Sequence, residues 1–382
     1  MKVLALDTEV TISNNGDPFD TRNKFVLGGW YDGISYSIHN IHGFSSAFMD
    51  SQHQLGTRLL LFNAKFDLHW LRNLDVTLGD EFQIWDCQLA EFILSNQQWR
   101  YPSLDEACEK RGLGRKIDVI KEEYWKKGID TDQIPTDILT SYLKQDLNLT
   151  YQLYLVQLKE FQSSEHRDKY KLFRMQCQDL LVLQEMEYNG FKYDITGSLN
   201  EAKLLEQASN ELDHLISSYA PDIPLNLNSN FHLSSLLYGG TIEIEDRLPI
   251  GVYKTGAKTG QPRYKIITKQ YVLPRLIEPL KGSELATDGY FRSDEDTLRN
   301  LKATGDGKRL IDKILERRGI EKLRGTYYEG IPKLIDEHHW SNALVHGQLN
   351  QCVTTTGRLS ATRPNQQNMP PACKQFCTSR FT

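Results

Sequence analysis

Short apolar runs and helix-spaced apolar residues divide the first part of the chain into strands and helices. The runs predict strands at Lys2–Asp7, Phe25–Tyr31, Ile34–Ile38 and Leu59–Phe62, with a further short run at Gln83–Asp86. Apolar spacings of three and four predict helices at Ala64–Leu74, at Cys87–Leu94 and from about Pro135 through Leu149. Strands followed by strand–helix units indicate an α/β layer, with helices on a mixed sheet, that ends near Lys159.

Beyond Lys159 the pattern becomes mainly helical. Residues 160–167 are polar and are predicted to connect two regions. Helical periodicity then covers Tyr170–Tyr188, Leu199–Ile216 and Lys308–Lys333. Between the last two, residues 248–272 have the glycine, proline and lysine content that is typical of a hairpin or loop. We therefore predict that a second, mainly helical region follows the α/β domain.

The composition excludes several classes of protein. With 382 residues and 39% hydrophobic content, the chain can form two or three ordinary cores. Its six cysteines form no CxxC pair, which favours free thiols over a disulfide framework or a zinc site. There is no apolar run of about 18 residues and no signal-peptide pattern at the start. We expect a soluble, cytoplasmic protein.

The net charge of −5 is unevenly distributed. Residues 300–382 contain 13 lysines and arginines against 7 aspartates and glutamates, a net charge of +6, so the preceding residues carry −11. An acidic N-terminal part suits a metal-dependent nuclease, whereas a basic C-terminal part suits a surface that holds a nucleic-acid duplex. Ordinary solvated faces are the alternative explanation of the same charges.

Four carboxylates and one tyrosine form a candidate metal site. Asp7 and Glu9 lie at the end of the first predicted strand, where alternation places both on one face. Asp67 lies at the start of a predicted helix, and Tyr142 lies one helical turn before Asp146. Each piece alone is typical of a solvated strand end, a helix cap or a surface pair. Four converging carboxylates require divalent cations, and oxygen ligands suit Mg²⁺, with Mn²⁺ as a second choice.

The order and spacing of these residues resemble the three exonuclease motifs of the DEDDy superfamily. The resemblance implies a ribonuclease-H-like fold and a 3′→5′ exonuclease that uses two metal ions for phosphodiester hydrolysis. It also implies that Asp7 bridges the two ions and that Glu9 and Asp146 complete the site that carries the attacking water. Asp67 would hold the second ion through water, and Tyr142 would orient the attacking water.

Two polar residues accompany these motifs. Asn63 begins the segment Asn-Ala-Lys-Phe-Asp and would either hydrogen-bond the substrate or cap the helix that follows. Asp86, in Ile-Trp-Asp-Cys, also resembles a recurrent position of the superfamily, and we favour a structural role for it.

A second group of segments resembles the family A (DNA polymerase I-type) polymerases. Residues 354–370 read TTTGRLSATRPNQQNMP, which is similar to the stretch before the first polymerase metal-binding aspartate of that family. Residues 183–191 resemble the segment that opens the polymerase domain. Residues 225–229 and 233–237 resemble the NxNSPKQLxxLLF segment of the family, in which residues 230–232 replace the Pro-Lys-Gln part. Residues 289–296 and the basic helices behind them resemble the thumb, and the long lysine-rich loop at 250–270 resembles the phage branch.

This resemblance assigns DNA contacts to four polar residues near the end of the chain. Arg358 would reach the minor groove near the primer terminus, and Asn365, Gln367 and Asn368 would contact the primer–template. Minor-groove acceptors are common to all base pairs, so these contacts suit a check of geometry rather than recognition of sequence.

The resemblance predicts four regions: a ribonuclease-H-like 3′→5′ exonuclease domain (1–160), a connecting helix with the start of the polymerase domain (161–195), a thumb-like region (196–340) and an incomplete palm (341–382). Because the printed sequence stops before the polymerase aspartate, we expect a second polypeptide to carry the remaining palm and the fingers. A split gene, an intron or intein boundary, or a truncated reading frame would each explain that end.

We therefore predict a proofreading 3′→5′ exodeoxyribonuclease that also forms the primer–template-binding part of a split or truncated, phage-like family A polymerase. It would act on single-stranded 3′ ends and on primer–template duplexes, in the cytoplasm of a bacterial host if phage-encoded, and would polymerise only with a complementing chain. One alternative is a non-catalytic DNA-binding or assembly subunit, which the intact carboxylates oppose. The other is a standalone RNA-trimming exonuclease, which the thumb-like region opposes.

Overall fold

The computed structural model describes residues 2–51, 56–76, 78, 82–115 and 119–381. The chain forms two compact units. Residues 1–195 and 331–382 make the first unit, and residues 196–330 make the second. The first unit is therefore built from both ends of the chain, and it combines the regions that we predicted as exonuclease, connection and palm.

A five-stranded mixed sheet lies at the centre of the first unit. Its strands are β1 (Val3–Val10), β2 (Phe25–Tyr31), β3 (Tyr36–Asn40), β4 (Arg58–Leu61) and β5 (Gln83–Asp86). They follow the order β3-β2-β1-β4-β5, in which β4 and β5 run parallel to β1 while β2 and β3 form an antiparallel meander with it. The predicted α/β class with a mixed sheet is confirmed.

Among the described residues of the first unit, seven helices accompany this sheet. They are α1 (Phe44–Ser51), α2 (Ala64–Asn73), α3 (Cys87–Leu94), α4 (Leu104–Lys110), α5 (Val119–Glu123), α6 (Thr136–Phe161) and α7 (Arg167–Asn189). Helix α6 buries Leu139, Leu143 and Leu147 at four-residue spacing and packs on β1 and β2. It continues to Phe161, slightly beyond the predicted domain end at Lys159. A short strand, β6 (Phe191–Tyr193), follows α7.

The second unit begins with α8 (Ile195–Ser217) and α9 (Asn230–Tyr238) and continues with a hairpin of β7 (Gly240–Val252) and β8 (Pro262–Leu273). Helices α10 (Glu295–Asn300) and α11 (Gly305–Lys322) complete it, followed by a π-helical segment, Leu323–Tyr328. Its apolar core contains Ile216, Leu237, Leu310 and Ile314. Residues 248–272 therefore form most of a regular hairpin, one of the two forms that their composition predicts.

The helix predicted for Lys308–Lys333 is interrupted, and this part of the prediction is wrong. Helix α11 ends at Lys322, the π-helical segment follows, and α12 (Gly330–Glu337) starts separately. A Cβ atom at position 330 would lie 2.8 Å from the carbonyl oxygen of Gly325. Glycine therefore permits the close backbone approach at which the helical ladder changes.

The end of the chain returns to the first unit. Its elements are α12, β9 (Leu344–Val345), β10 (Gln348–Asn350), β11 (Ser360–Thr362), α13 (Pro371–Lys374) and β12 (Cys377–Thr378). Strand β6 lies between β12 and β9 in a three-stranded antiparallel sheet, and β10 pairs with β11. This pairing explains why residues 331–340, which we predicted as part of the thumb-like region, lie in the first unit.

All six cysteines are free thiols, in agreement with the expectation from their spacing. Among the described residues, no helix combines the length and the apolar character that crossing a membrane requires.

Candidate metal centre and adjoining cavity

Three carboxylates meet where β1 and α6 cross. Oxygen atoms of Asp7, Glu9 and Asp146 all lie within 4.8 Å of one another. Alternation along β1 places the first two on one face, and the buried residues Leu143 and Leu147 press α6 against that strand. Glu9 and Asp146 are buried while Asp7 is half-buried, so the cluster is partly open to substrate. Three close oxygen ligands of this kind fit a hard divalent cation.

Asp67, the fourth predicted carboxylate, lies beside this cluster but is not one of its three members. It stands in the first turn of α2, where its Oδ1 accepts a hydrogen bond of 2.7 Å from the Thr8 hydroxyl. Thr8 is the residue between Asp7 and Glu9, so this bond ties α2 to the strand that carries the cluster. Burial raises the pKa of Asp67 to about 7, against the opposing effect of the Thr8 hydrogen bonds. A nearby cation would favour its ionised form.

Tyr142 lies on α6 one turn before Asp146 and therefore on the same face of the helix. Its ring is half-buried and packs against the core of the first unit. The Tyr142 hydroxyl and the Asp146 carboxylate therefore lie on one face of α6, one turn apart, as the sequence predicted.

Asn63 and Asp86 have different roles. Asn63 occupies the position before α2 with a φ of 63°, but its side chain makes no capping hydrogen bond. Asp86 is buried and accepts hydrogen bonds from the backbone N–H groups of Ala64, at 2.8 Å, and of Gln88 and Leu89. Asp86 thereby holds the starts of two helices together, while the Asn63 amide remains available to the adjoining cavity.

A cavity of about 560 Å³ adjoins this region within the first unit. Its walls include Asn63 and Phe66 on one side, Tyr101 on another, and Asn350 and Arg363 of the returning segment. Phe66 directly precedes Asp67 on α2, so this helix contributes both to the cavity wall and to the candidate metal centre. Amide, aromatic and guanidinium groups together suit a nucleotide, which offers bases, hydroxyls and phosphates.

A buried ion network fixes the floor of the cavity. Lys65 Nζ lies 2.5 Å from Glu187 Oε1, and His69 Nε2 lies 3.0 Å from Glu187 Oε2. The backbone N–H of Leu349 donates to Glu187 Oε1 at 2.6 Å, and Lys65 donates to the Leu349 carbonyl. The network joins α2, the end of α7 and β10 at one point.

The charges in this network are set by burial and pairing. Burial would raise the pKa of Glu187, but the His69 hydrogen bond and the nearby Lys65 charge outweigh it and hold that pKa below its ordinary value. Burial lowers the pKa of His69, despite its bond to Glu187. Lys65 and Glu187 both stand in segments with recognisable motifs, but no role for either was predicted from the sequence, because no local pattern pairs residues so far apart.

The predicted DNA contacts lie on the returning segment, outside the carboxylate cluster. Arg358 is exposed after Gly357, and its carbonyl oxygen accepts a hydrogen bond from the Thr354 hydroxyl. Asn365 Oδ1 accepts from the backbone N–H of Asn368 at 3.3 Å and so caps a short 3₁₀ turn. Gln367 and Asn368 are exposed. Their polar side chains are presented to solvent.

Comparisons with known proteins find similarity to DNA polymerases of family A. Residues 265–380 match the model of the family described as DNA polymerase family A. DNA polymerase I of Synechocystis sp. is 28% identical over 312 residues, which cover 81% of this chain and 27% of that protein. DNA polymerase I of Bacillus subtilis is 28% identical over 297 residues, 76% of this chain and 27% of the relative. The chain spans about a quarter of the length of these curated relatives.

A solved structure shares the fold. The POL domain of Pol1 from M. smegmatis, in complex with DNA primer–template and dNTP, matches with a TM-score of 0.67 and 17% identity. The match covers 98% of this chain and 53% of that chain. Together the matches support a family A DNA polymerase-like chain.

Proposed function

We propose that this chain is the 3′→5′ exodeoxyribonuclease and primer–template-binding part of a family A-type DNA polymerase. The observation that carries the nuclease proposal is the convergence of the Asp7, Glu9 and Asp146 carboxylates within 4.8 Å. The similarity to DNA polymerases over most of the chain supports DNA as the substrate. An exonuclease within a polymerase would remove mispaired nucleotides from the primer, so we assign it to proofreading.

The donor set of the site fits Mg²⁺, or Mn²⁺, because it consists of carboxylate oxygens. Asp7, Glu9 and Asp146 would hold one ion, and Asp67 would contribute to a second. Bound divalent ions supply an activated water and stabilise charge in phosphodiester hydrolysis. Tyr142 would orient the attacking water through its hydroxyl group.

The walls of the adjoining cavity would hold the 3′-terminal nucleotides. Asn63 offers an amide donor and acceptor beside the metal centre, and Tyr101 and Phe66 offer aromatic surfaces for bases. Arg363 supplies a cation for phosphate. The volume of about 560 Å³ favours a single strand over a duplex, because a base-paired helix is too large for it.

Duplex binding is assigned to the exposed polar residues of the returning segment. Arg358, Asn365, Gln367 and Asn368 would donate hydrogen bonds to minor-groove acceptors, which all base pairs share. Primer extension by the chain, alone and with separately expressed candidate chains, tests whether a second polypeptide takes part in nucleotide addition.

The nuclease proposal is tested with a 5′-labelled single-stranded DNA and Mg²⁺, for the chain and for its Asp7→Ala variant. We expect a ladder that shortens from the 3′ end and disappears in the variant. Degradation that survives in Asp7→Ala would refute the assigned site. If neither protein degrades DNA but both bind it, the chain is a binding subunit; if RNA of the same sequence is degraded faster than DNA, it is an RNA-trimming enzyme.

A further inference from the structure

The solvent-facing side of α7 carries a line of apolar residues with the spacing of a helix-pairing seam. This line, here called the α7 stripe, consists of Leu172, Met175, Asp179, Val182 and Met186, at alternating intervals of three and four residues. Its four apolar members are between 36% and 60% exposed. Exposed apolar residues that lie in one line, rather than scattered singly, mark a surface that binds another protein.

The α7 stripe is distinct from the face with which this helix packs in its own unit. Phe173, Cys177 and Leu180 are buried in the core of the first unit. At about 100° per residue, the mean direction of the stripe lies about 125° around the helix from that of the buried residues. A helix that only covers the core of its own unit has one apolar face and polar residues elsewhere. A second apolar line therefore indicates a second packing partner.

The α7 stripe lies between two pockets of the first unit. On one side, a pocket of about 280 Å³ is lined by Val182 together with Gly357 and Leu359 of the returning segment. The Gln351 amide donates to the Gln176 carbonyl at 3.0 Å and holds the returning segment against α7 there. On the other side, Val182 also lines a pocket of about 590 Å³. Side chains of a helix laid along the stripe can therefore enter a pocket on either side of it.

Asp179 is the charged member of the α7 stripe and lies at its centre, where it is exposed. The ion pairs that α7 forms within the described residues involve Glu185 and Glu187 instead. The helix positions one turn away from Asp179, where a pairing cation would stand, hold no lysine or arginine. They are Met175, Gln176, Val182 and Leu183. The stripe therefore offers a carboxylate, set in an apolar line, to a cation from outside the helix.

The charge of Asp179 decides between two kinds of partner helix. If a second copy of this chain paired through the same stripe, either parallel in register or antiparallel about its centre, the two Asp179 carboxylates would meet. Like charges that face each other oppose such pairing. A helix with a lysine or arginine at that point instead gains a charge-assisted contact, and the methylene groups of that side chain can lie along the apolar line. The stripe therefore favours a basic partner helix over self-association.

We propose that the α7 stripe binds an amphipathic helix of a partner polypeptide, with apolar residues along its seam and a lysine or arginine opposite Asp179. The stripe extends over about 21 Å, so a partner helix of about four turns covers it. Met175 and Met186 give it apolar side chains that adapt to the shape of a partner. The inference is independent of the proposed nuclease, because the stripe shares no residue with the carboxylate cluster or with the cavity beside it.

The test uses three synthetic peptides of about 20 residues as probes, each held helical by crosslinks on its outer face. The first has leucine along its seam and lysine at the central seam position, the second has glutamate in place of that lysine, and the third has the composition of the first in scrambled order. Their affinity for the chain is measured by fluorescence anisotropy at about 0.1 M salt. The same measurement is made on Asp179→Lys, on the stripe variant Met175→Ser/Val182→Ser, and on the control Leu199→Ser/Leu204→Ser, which removes two exposed apolar side chains from α8.

We expect the unmodified chain to bind the lysine peptide about tenfold more tightly than the glutamate peptide, because an attractive pair replaces a repulsive one. Asp179→Lys should reverse that preference. The stripe variant should bind the lysine peptide at least about tenfold more weakly, since two apolar contacts are lost, and the control should stay within about twofold. Equal affinity for all three peptides, or an unreversed preference in Asp179→Lys, would overturn the proposal.

Sedimentation of the unmodified chain and of the stripe variant separates a partner helix from a second copy of this chain. We expect both proteins to sediment as monomers. A dimer of the unmodified chain that the stripe variant dissociates would overturn the proposal in favour of self-association. The reversal in Asp179→Lys keeps the proposal testable if the stripe variant fails to fold, because Asp179 is exposed and its replacement removes no packing.

Discussion

Glu187→Gln provides a quantitative test of the ion network that joins α2, α7 and β10. The substitution preserves the shape of the side chain and its ability to accept from Leu349 N–H, but it removes the charge opposite Lys65. The Lys65 side chain is only 15% exposed and that of Glu187 only 5%. Lys65 would then keep a largely buried charge without its counterion.

The loss in free energy of unfolding follows from the burial of Lys65. Removing one partner of a buried ion pair costs about 3–5 kcal/mol, because the remaining charge is uncompensated. Lys65 retains some contact with water and its bond to the Leu349 carbonyl, so we expect the low end, about 3 kcal/mol in the free energy of unfolding. Glu185→Gln is the matched control. Glu185 lies on α7, as Glu187 does, but its ion pair with Arg72 is exposed, so this substitution should lower the free energy of unfolding by under about 1 kcal/mol.

The assay is urea unfolding followed by tryptophan fluorescence, with Lys65→Met and the double variant completing a cycle. A shared interaction should make the double variant more stable than the sum of the single losses predicts, by about 1–3 kcal/mol. Additivity within about 0.5 kcal/mol would refute the assigned coupling. An equal loss in Glu185→Gln would refute the argument from burial.

The difference in free energy of unfolding between the unmodified chain and Glu187→Gln should depend on pH in a defined direction. The pKa of Glu187 is lower in the folded protein than its ordinary value of 4.5. Its contribution to stability is therefore fully present above pH 4.5 and is lost as the pH falls through the folded-state pKa. The difference between the unmodified chain and Glu187→Gln should shrink below that pH; a difference that grows on acidification would contradict the network.

The remaining predictions concern activity and binding. Tyr142→Phe should lower the rate of 3′-end degradation only about fivefold, because it removes one hydrogen bond of about 1 kcal/mol and leaves the carboxylates in place; loss as severe as in Asp7→Ala, measured by single-turnover assay, would give Tyr142 a larger role. Arg358→Ala should weaken primer–template binding, as measured by fluorescence anisotropy, because it removes a donor to the minor groove. An unchanged affinity would contradict the assigned minor-groove contact.

The sequence by itself determined the local elements and the candidate chemistry of the first unit. Strands β2 and β5 and helix α3 begin and end where their patterns predict, because each depends on neighbouring residues and on one buried face. The carboxylates were recognisable for a related reason. Alternation along β1 and one helical turn along α6 place Asp7 with Glu9 and Tyr142 with Asp146 without any knowledge of the remaining chain.

Tertiary structure alone decided how distant segments combine. Glu187 meets Lys65 across 122 positions and Leu349 across 162, and no periodic pattern encodes such a pairing. The return of residues 331–382 to the first unit likewise depends on β6 receiving strands from both sides. Local sequence sets the dihedral angles and the faces of each element, whereas pairing between distant elements is chosen by the burial and hydrogen bonding of the whole unit.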